Sequence, residues 1–407
     1  MTLLERFLNY VKIDTQSDHR SPTFPSTEKQ KDLGKLLLKE MKELGIKDAR
    51  MDDFGNVYGS IPANLDHVES VGFIAHMDTA EEVTGKNVNP RIIENYDGSD
   101  IELSPGLIVK KADFERLAKC VGKTIIHTDG TTLLGADDKA GCAEIMVLAE
   151  YLLSHPEVKH GEVKIGFTCD EEIGRGADHF DIAGFGADFA YTIDGGEPES
   201  LCYENFNAAA AQVTVTGVSI HPGAAKDKMI SAYNLAMEFH GLLPTAMRPE
   251  HTSEREGFNH LTVFNGTIEE VHMTYIIRNH DRGKFEAQKQ LFVDAAVFLN
   301  KKYQRDLIKV EITDSYYNML EGLKGKEYII DYAKKAIEAQ SYTPKPIAMR
   351  GGTDGARLTY MGLPCPNLPT GGFNAHGRLE MACLEDMEVC VEIMKTIVAL
   401  VAQGGEA

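Results

Sequence analysis

Two adjacent glutamates, Glu171 and Glu172, stand in the segment Thr168-Cys169-Asp170-Glu171-Glu172-Ile173-Gly174, just after the alternating apolar residues Val163, Ile165 and Phe167. Neighbouring residues on an extended segment point opposite ways. Where the chain turns at a strand tip, both carboxylates can face one cleft, one to hold a metal and the other to handle a proton, as metal-assisted hydrolysis requires. Four further segments carry ligand-type residues. His76-Met77-Asp78 closes the apolar stretch Val71–Ala75; in this spacing the histidine can coordinate while the aspartate accepts from its other ring nitrogen and fixes the tautomer. Asp137 and Asp138, in Gly135-Ala-Asp-Asp-Lys139, precede a helix, and helix capping is their plain structural reading. Asp194-Gly195-Gly196 ends another apolar stretch and by itself is a turn. His376 follows the glycine-rich Thr370-Gly371-Gly372. Taken singly, each of these residues has an ordinary structural explanation. Taken together, two imidazoles and several carboxylates fall mostly at the carboxyl ends of strands, where open α/β sheets place their sites. The mixed nitrogen and oxygen donors favour zinc, with manganese or cobalt as substitutes. One aspartate can bridge a pair of ions about 3.5–4 Å apart, and the spacing leaves Asp137 and Asp138 as alternatives for that role.

The elements that must position these residues alternate in the first half of the chain. Val71–Ala75, Val163–Thr168 and Phe189–Ile193 read as buried strands, Thr124–Thr128 as an edge strand, and Lys139–Ser154 as a helix ended by His155-Pro156. That alternation implies an α/β domain, a mixed sheet with helices on both faces. The style changes near Ala208: a half-exposed strand at Gln212–Gly217, a helix over Ile230–Leu243, an antiparallel pair at Leu261–Gly266 and Val271–Arg278, a helix over Lys284–Tyr303, and a strand at Ile308–Thr313. This is an α+β module, a four-stranded antiparallel sheet with two helices on one face. The α/β style returns from about Lys324, with helices at Glu327–Gln340 and Leu384–Ala402. The expected organisation is a discontinuous catalytic domain, residues 1–207 and 317–407, interrupted by an inserted lid at residues 208–316.

Bulk properties narrow the function. A chain of 407 residues with a 43% apolar content is large enough for two cores. A formal charge of −20 and the lack of a basic stripe argue against nucleic acid. No apolar run approaches the roughly 20 residues that span a bilayer. The opening MTLLERFLNYVKI reads as an amphipathic core helix interrupted by Glu5 and Arg6 and not as a signal peptide, so the expectation is a cytoplasmic protein without membrane partners. The seven cysteines lack C-x-x-C spacing and read as reduced, buried thiols. Gly122-Lys123-Thr124 mimics the end of a P-loop, but Leu117 stands where the first glycine is needed.

The segments HMD, GADDKAG, DEEIGRGA, TIDGG, SIHPG, MRGGTDGA and NAHG, in this order, closely resemble the tripeptide aminopeptidase (peptidase T) family of the di-zinc aminoacylase/carboxypeptidase superfamily. The resemblance extends over essentially the whole chain through LLERFLNYV, GKNVNP, ENFNAA, DSYYNM and MGLPCPNL. It implies a di-zinc exopeptidase fold with an inserted lid and two zinc ions per subunit. His76, Asp137 and Asp194 would hold one ion; Asp137 would bridge to the second, completed by Glu172 and His376. It further implies Asp78 as the orienter of His76, Glu171 as the general base, and a cis peptide after Asp137. His221 would be a lid histidine reaching the substrate carbonyl in a neighbouring subunit's site, which a homodimer would supply. Arg278 and Arg350 are candidates for clamping the C-terminal carboxylate of a short peptide with a free N-terminus. The implied reaction is release of the first residue of a tripeptide. The alternatives are a dipeptidase or N-acyl-amino-acid amidohydrolase with the same metals, and a catalytically inert binding relative.

Overall fold

A computed structural model describes residues 1–404. The chain divides into two compact units: one of residues 1–203, 321–347 and 353 onward, and one of Glu204–Leu320 with Ala348–Gly352.

The first unit is built on an eight-stranded sheet in the order Arg50–Met51, Val57–Ile61, Val163–Thr168, Val71–His76, Phe189–Gly195, Asn367–Pro369, Ser200–Asn205 and Lys345–Met349. The three central strands run parallel, and Val57–Ile61 joins antiparallel, so the sheet is mixed. All residues of Val71–His76 are buried, the pattern of a strand covered on both faces. On one face the helix Ala136–Ser154 packs against that strand, with Leu3–Tyr10 and Leu384–Ala402 against the helix. On the other, Ile74 joins Tyr58, Phe180, Phe185 and Leu358. Ala136–Ser154, whose backbone is non-helical at Asp137 and Asp138, buries nearly every residue up to Ala149, so its apolar residues are not confined to one stripe. Gly141 permits its close approach to the sheet. A Cβ there would lie 2.2 Å from the Ile193 carbonyl oxygen and 2.6 Å from Asp138 Oδ1.

Ile125–His127 is not an edge strand. It lies inside a second, four-stranded sheet, between Met381–Cys383 and Arg91–Ile93, paired antiparallel on both sides. Those partners are three residues each, too short to register as strands in a hydropathy pattern.

The second unit is a four-stranded antiparallel sheet in the order Phe258–Gly266, Glu270–Asn279, Asn207–Thr216 and Ile308–Tyr316. The helices Ala232–Leu242 and Arg282–Tyr303 pack on it. They bury Leu235, Phe239, Phe285 and Phe292 with Val213, Met273, Tyr275 and Ile277 of the strands. Ser231 and Asp281 cap the two helices by accepting from Asn234 N and Lys284 N. The first strand starts at Asn207, earlier than its alternation suggests, because Ala208 to Ala211 pair on both sides. Alanine favours helix intrinsically, and the sheet overrides that preference.

Candidate metal centre

Strand register levels the site. His76 pairs opposite Thr168, and Ile74 opposite Thr192, so His76 and Asp194 end at one height on the carboxyl edge of the parallel strands. Beyond Thr168 the chain turns through Asp170, whose φ is 62°. Asp170 is locked from three directions: its carboxylate accepts from Ser26 N (2.6 Å) and Gln30 Nε2 (2.6 Å), and its own N–H donates to Gln30 Oε1 (3.0 Å). The turn then presents Glu171 and Glu172 to the buried Asp78 carboxylate, which accepts from Glu171 N at 3.0 Å and Glu172 N at 3.2 Å.

Asp78 also reaches the histidine. His76 Nδ1 lies 3.1 Å from the Asp78 carbonyl oxygen and 3.4 Å from Asp78 Oδ1. A carbonyl only accepts, so Nδ1 carries a proton and Nε2 is the nitrogen turned into the site. Nε2 lies 2.9 Å from Asp137 Oδ1 and 3.7 Å from Asp194 Oδ1. Asp137 Oδ2 lies 3.3 Å from His376 Nε2, and Glu172 Oε2 lies 2.8 Å from the same nitrogen. Two groups result, His76–Asp137–Asp194 and Asp137–Glu172–His376, each with its donor atoms within 4.8 Å of one another. Asp137 is common to both and offers each a different oxygen. Asp138 turns away and accepts from His76 N and Gly141 N, both at 3.2 Å. The peptide between the two aspartates is cis.

Glu380, which no sequence pattern marks, holds the loop in front of Asp137. One buried carboxylate oxygen accepts from Leu134 N (2.8 Å) and Gly135 N (2.7 Å), the other from Asp137 N (3.0 Å). Asp354, from the Arg350-Gly-Gly-Thr-Asp354 segment, is also buried. It accepts from Thr168 Oγ1 at 3.0 Å and lines a narrow pocket with His76, Glu171, Thr192 and Asp194. In the sequence it stands inside MRGGTDGA, one of the segments that carry the family resemblance.

The electrostatics follow from burial and crowding. Burial, then Asp137, pushes Glu172 up to about 8 against the opposing hydrogen bond of His376. Burial, then Asp194, raises Glu171 well above the carboxylate range. Burial raises Asp354 to about 7. The imidazoles answer: Asp137 and Glu172 lift His376 to about 11. Burial would lower His76, yet Asp137, Asp194 and Asp78 raise it well above its ordinary value. Burial disfavours ionised Asp137, but the two histidines hold it anionic. Glu172 Oε1 is buried with no hydrogen-bond partner, a costly arrangement for a neutral site. Imidazole nitrogens, an excess of carboxylate oxygens and an orphaned buried oxygen fit divalent cations of the zinc type.

His221, Arg278 and Arg350 belong to the second unit. His221 is exposed on a turn, and its Nδ1 accepts from Gly223 N at 3.2 Å. Arg278 uses Nη1 for both of its backbone bonds, to the carbonyls of Ala209 (3.2 Å) and Ile277 (2.9 Å), and its guanidinium lies over Tyr316. Arg350 donates from Nη1 to the carbonyls of Glu254 and Glu256 and from Nη2 to Thr252 Oγ1, and its guanidinium lies against the edge-to-face pair of Phe206 and Phe258.

The family model described as a peptidase dimerisation domain matches residues 203–304. Peptidase T of Clostridium acetobutylicum is 52% identical over 404 residues, covering 98% of this chain and 99% of that one. Among solved structures, aminopeptidase PepT of Bacillus cereus matches with a TM-score of 0.79 at 24% identity, covering 98% of each chain. A Bacillus subtilis protein described as a dinuclear metal binding peptidase of the M20 family matches at 0.67 with 14% identity and 98% coverage of each. The last two likenesses speak for the fold.

Replacing Asp78 by Ala removes the carboxylate that accepts from the amides of Glu171 and Glu172 and lies 3.4 Å from His76 Nδ1, while it leaves the backbone carbonyl that accepts from that ring. The expected outcome is metal affinity or activity reduced about 10–100-fold. A competitive metal titration that matches the parent would count against Asp78 as the organiser of the site.

Proposed function

The chain belongs to the peptidase T family of M20 metallopeptidases, and from that premise we propose that it is a zinc-dependent aminopeptidase releasing the N-terminal residue of tripeptides. The observation that carries this reading is Asp137, which gives one carboxylate oxygen to each of two imidazole–carboxylate groups. His76, Asp137 and Asp194 would hold one ion, and Asp137, Glu172 and His376 the other. When bound, such a pair lowers the pKa of a water and polarises the scissile carbonyl.

The chain's own residues supply the rest. Glu171 lies outside both ligand groups but shares a pocket with His76 and Asp194. Burial, with Asp194, favours its protonated form, which suits a carboxylate that receives a proton from the attacking water and delivers it to the leaving amine. Asp78 keeps this base in register with the ligands, because one carboxylate holds the amides of Glu171 and Glu172 and faces His76. Glu380 does the same for Asp137 through its amide.

Substrate selection is assigned to the second unit. Arg278 spends a single nitrogen on the backbone, which leaves the rest of its fork for the C-terminal carboxylate of the peptide. Arg350, with both terminal nitrogens engaged, is the second candidate. His221 would donate to the substrate carbonyl from a neighbouring subunit, in keeping with the dimerisation-domain match that includes it.

Three measurements test the reading. The first is mass-resolved products from a mixture of a tripeptide, its N-acetyl form, a dipeptide and a tetrapeptide, before and after chelation and zinc return. The expectation is release of the tripeptide's first residue alone, lost on chelation and restored by zinc. Cleavage of the dipeptide or acetylated peptide instead would assign the chain to the dipeptidase or amidohydrolase class. Next, Glu171→Gln should retain metal while turnover falls about 10²–10⁴-fold; near-normal turnover would remove Glu171 as the base. Finally, Arg278→Ala should damage hydrolysis of tripeptides far more than of their C-terminal amides, and equal losses would refute the carboxylate clamp.

A further inference from the structure

All seven cysteines are free and buried, but two of them face each other. Cys120 follows the short helix Glu115–Ala118, and Cys383 ends the strand Met381–Cys383. They are 263 positions apart in sequence, yet both sit in one apolar cluster with Tyr96, Leu117, Ile125 and Met381. Their sulfurs lie within 4.8 Å of each other and of an Asp386 oxygen. Cys120 Sγ donates to the Arg116 carbonyl oxygen at 3.4 Å, and Cys383 Sγ donates to Glu385 Oε2 at 3.7 Å.

A soft metal is a poor occupant. The third candidate ligand, Asp386, is already neutralised, with Arg116 Nη2 on one oxygen and Lys123 Nζ 2.6 Å from the other. A cation would enter beside two fixed positive charges. What the geometry does offer is two thiols within reach of each other, 263 positions apart in sequence. We propose that Cys120 and Cys383 form a redox-active dithiol that a hydroperoxide converts to an intramolecular disulfide.

The asymmetry of the pair assigns the roles. The Cys383 thiol lowers the proton affinity of Cys120, opposed by burial and by the Asp386 carboxylate and assisted by Arg116 and Lys123. Cys383 is correspondingly raised, by Cys120 first and then by burial. Cys120 is therefore the attacking sulfur and Cys383 the resolving thiol. The Cys120 thiolate attacks a peroxide oxygen, the O–O bond breaks, and the departing hydroxide takes up the thiol's proton as water, leaving a sulfenic acid. The Cys383 sulfur then attacks the sulfenyl sulfur; the S–S bond forms, the S–O bond breaks, and the hydroxide leaves as a second water with the Cys383 proton. Together the two thiols lose two electrons, which reduce the peroxide.

The test uses the full chain treated with hydrogen peroxide, then denatured, alkylated and digested without reductant. The expected product is a Cys120–Cys383 linked peptide that dithiothreitol reverses. In Cys383→Ser, dimedone should label Cys120 as a trapped sulfenic acid; in Cys120→Ser, Cys383 should stay a free thiol. Should the variants fail to fold, mapping of the unsubstituted chain still decides. Both thiols alkylated after peroxide, or oxidised to sulfinic acids with no linked peptide, would overturn the proposal, as would linkage of either one to a different cysteine.

Discussion

Buried negative charge must be answered by positive charge or by protons. The carboxyl edge of the strands Val71–His76, Val163–Thr168 and Phe189–Gly195 collects more of it than its imidazoles can answer. Glu171, Glu172, Asp194 and Asp354 are all driven toward protonation there, while His76 and His376 are driven toward the charged form. Much of the first unit serves to hold these mutually repelling groups at fixed separations. A site that relaxed until its carboxylates parted would lose the double use of Asp137, on which a two-ion reading depends.

The restraint comes from carboxylates of a different kind, which face backbone amides. Asp78 takes the amides of Glu171 and Glu172, Glu380 those of Leu134, Gly135 and Asp137, and Asp170 that of Ser26. Each ties together chain segments distant in sequence, and each satisfies donors that a tight loop would otherwise leave buried and unpaired. The backbone is thereby fixed first, and the ligand side chains inherit its precision. Short side chains such as Asp137 and Asp194 have few torsions left once their Cα positions are set.

The second unit solves a simpler problem. Its alternating strands and two capped helices bury one apolar face. Such local patterns can be read residue by residue, and the strand Ile308–Tyr316 and the helix Arg282–Tyr303 lie close to where periodicity puts them. The site was less evenly legible. His76, Glu172, Asp194 and His376 belong to residue types and strand-end positions that advertise ligand chemistry, and the resemblance of the surrounding motifs sorted them into roles. Glu380 could not be found this way. It is one glutamate among many in a chain with 62 acidic residues, and what distinguishes it is a set of three amides some 245 positions earlier.

By itself, the sequence determined the alternating architecture, the inserted α+β module and the residue types able to hold a metal, because hydropathy period and donor chemistry are local properties. Spacing left Asp137 and Asp138 open and only the family resemblance preferred Asp137; tertiary structure alone decided that Ile125–His127 is interior to its sheet and that Cys120 meets Cys383. Each of these depends on contacts between segments whose separation along the chain carries no periodic signal. They exist only once burial of the apolar core has brought those segments together.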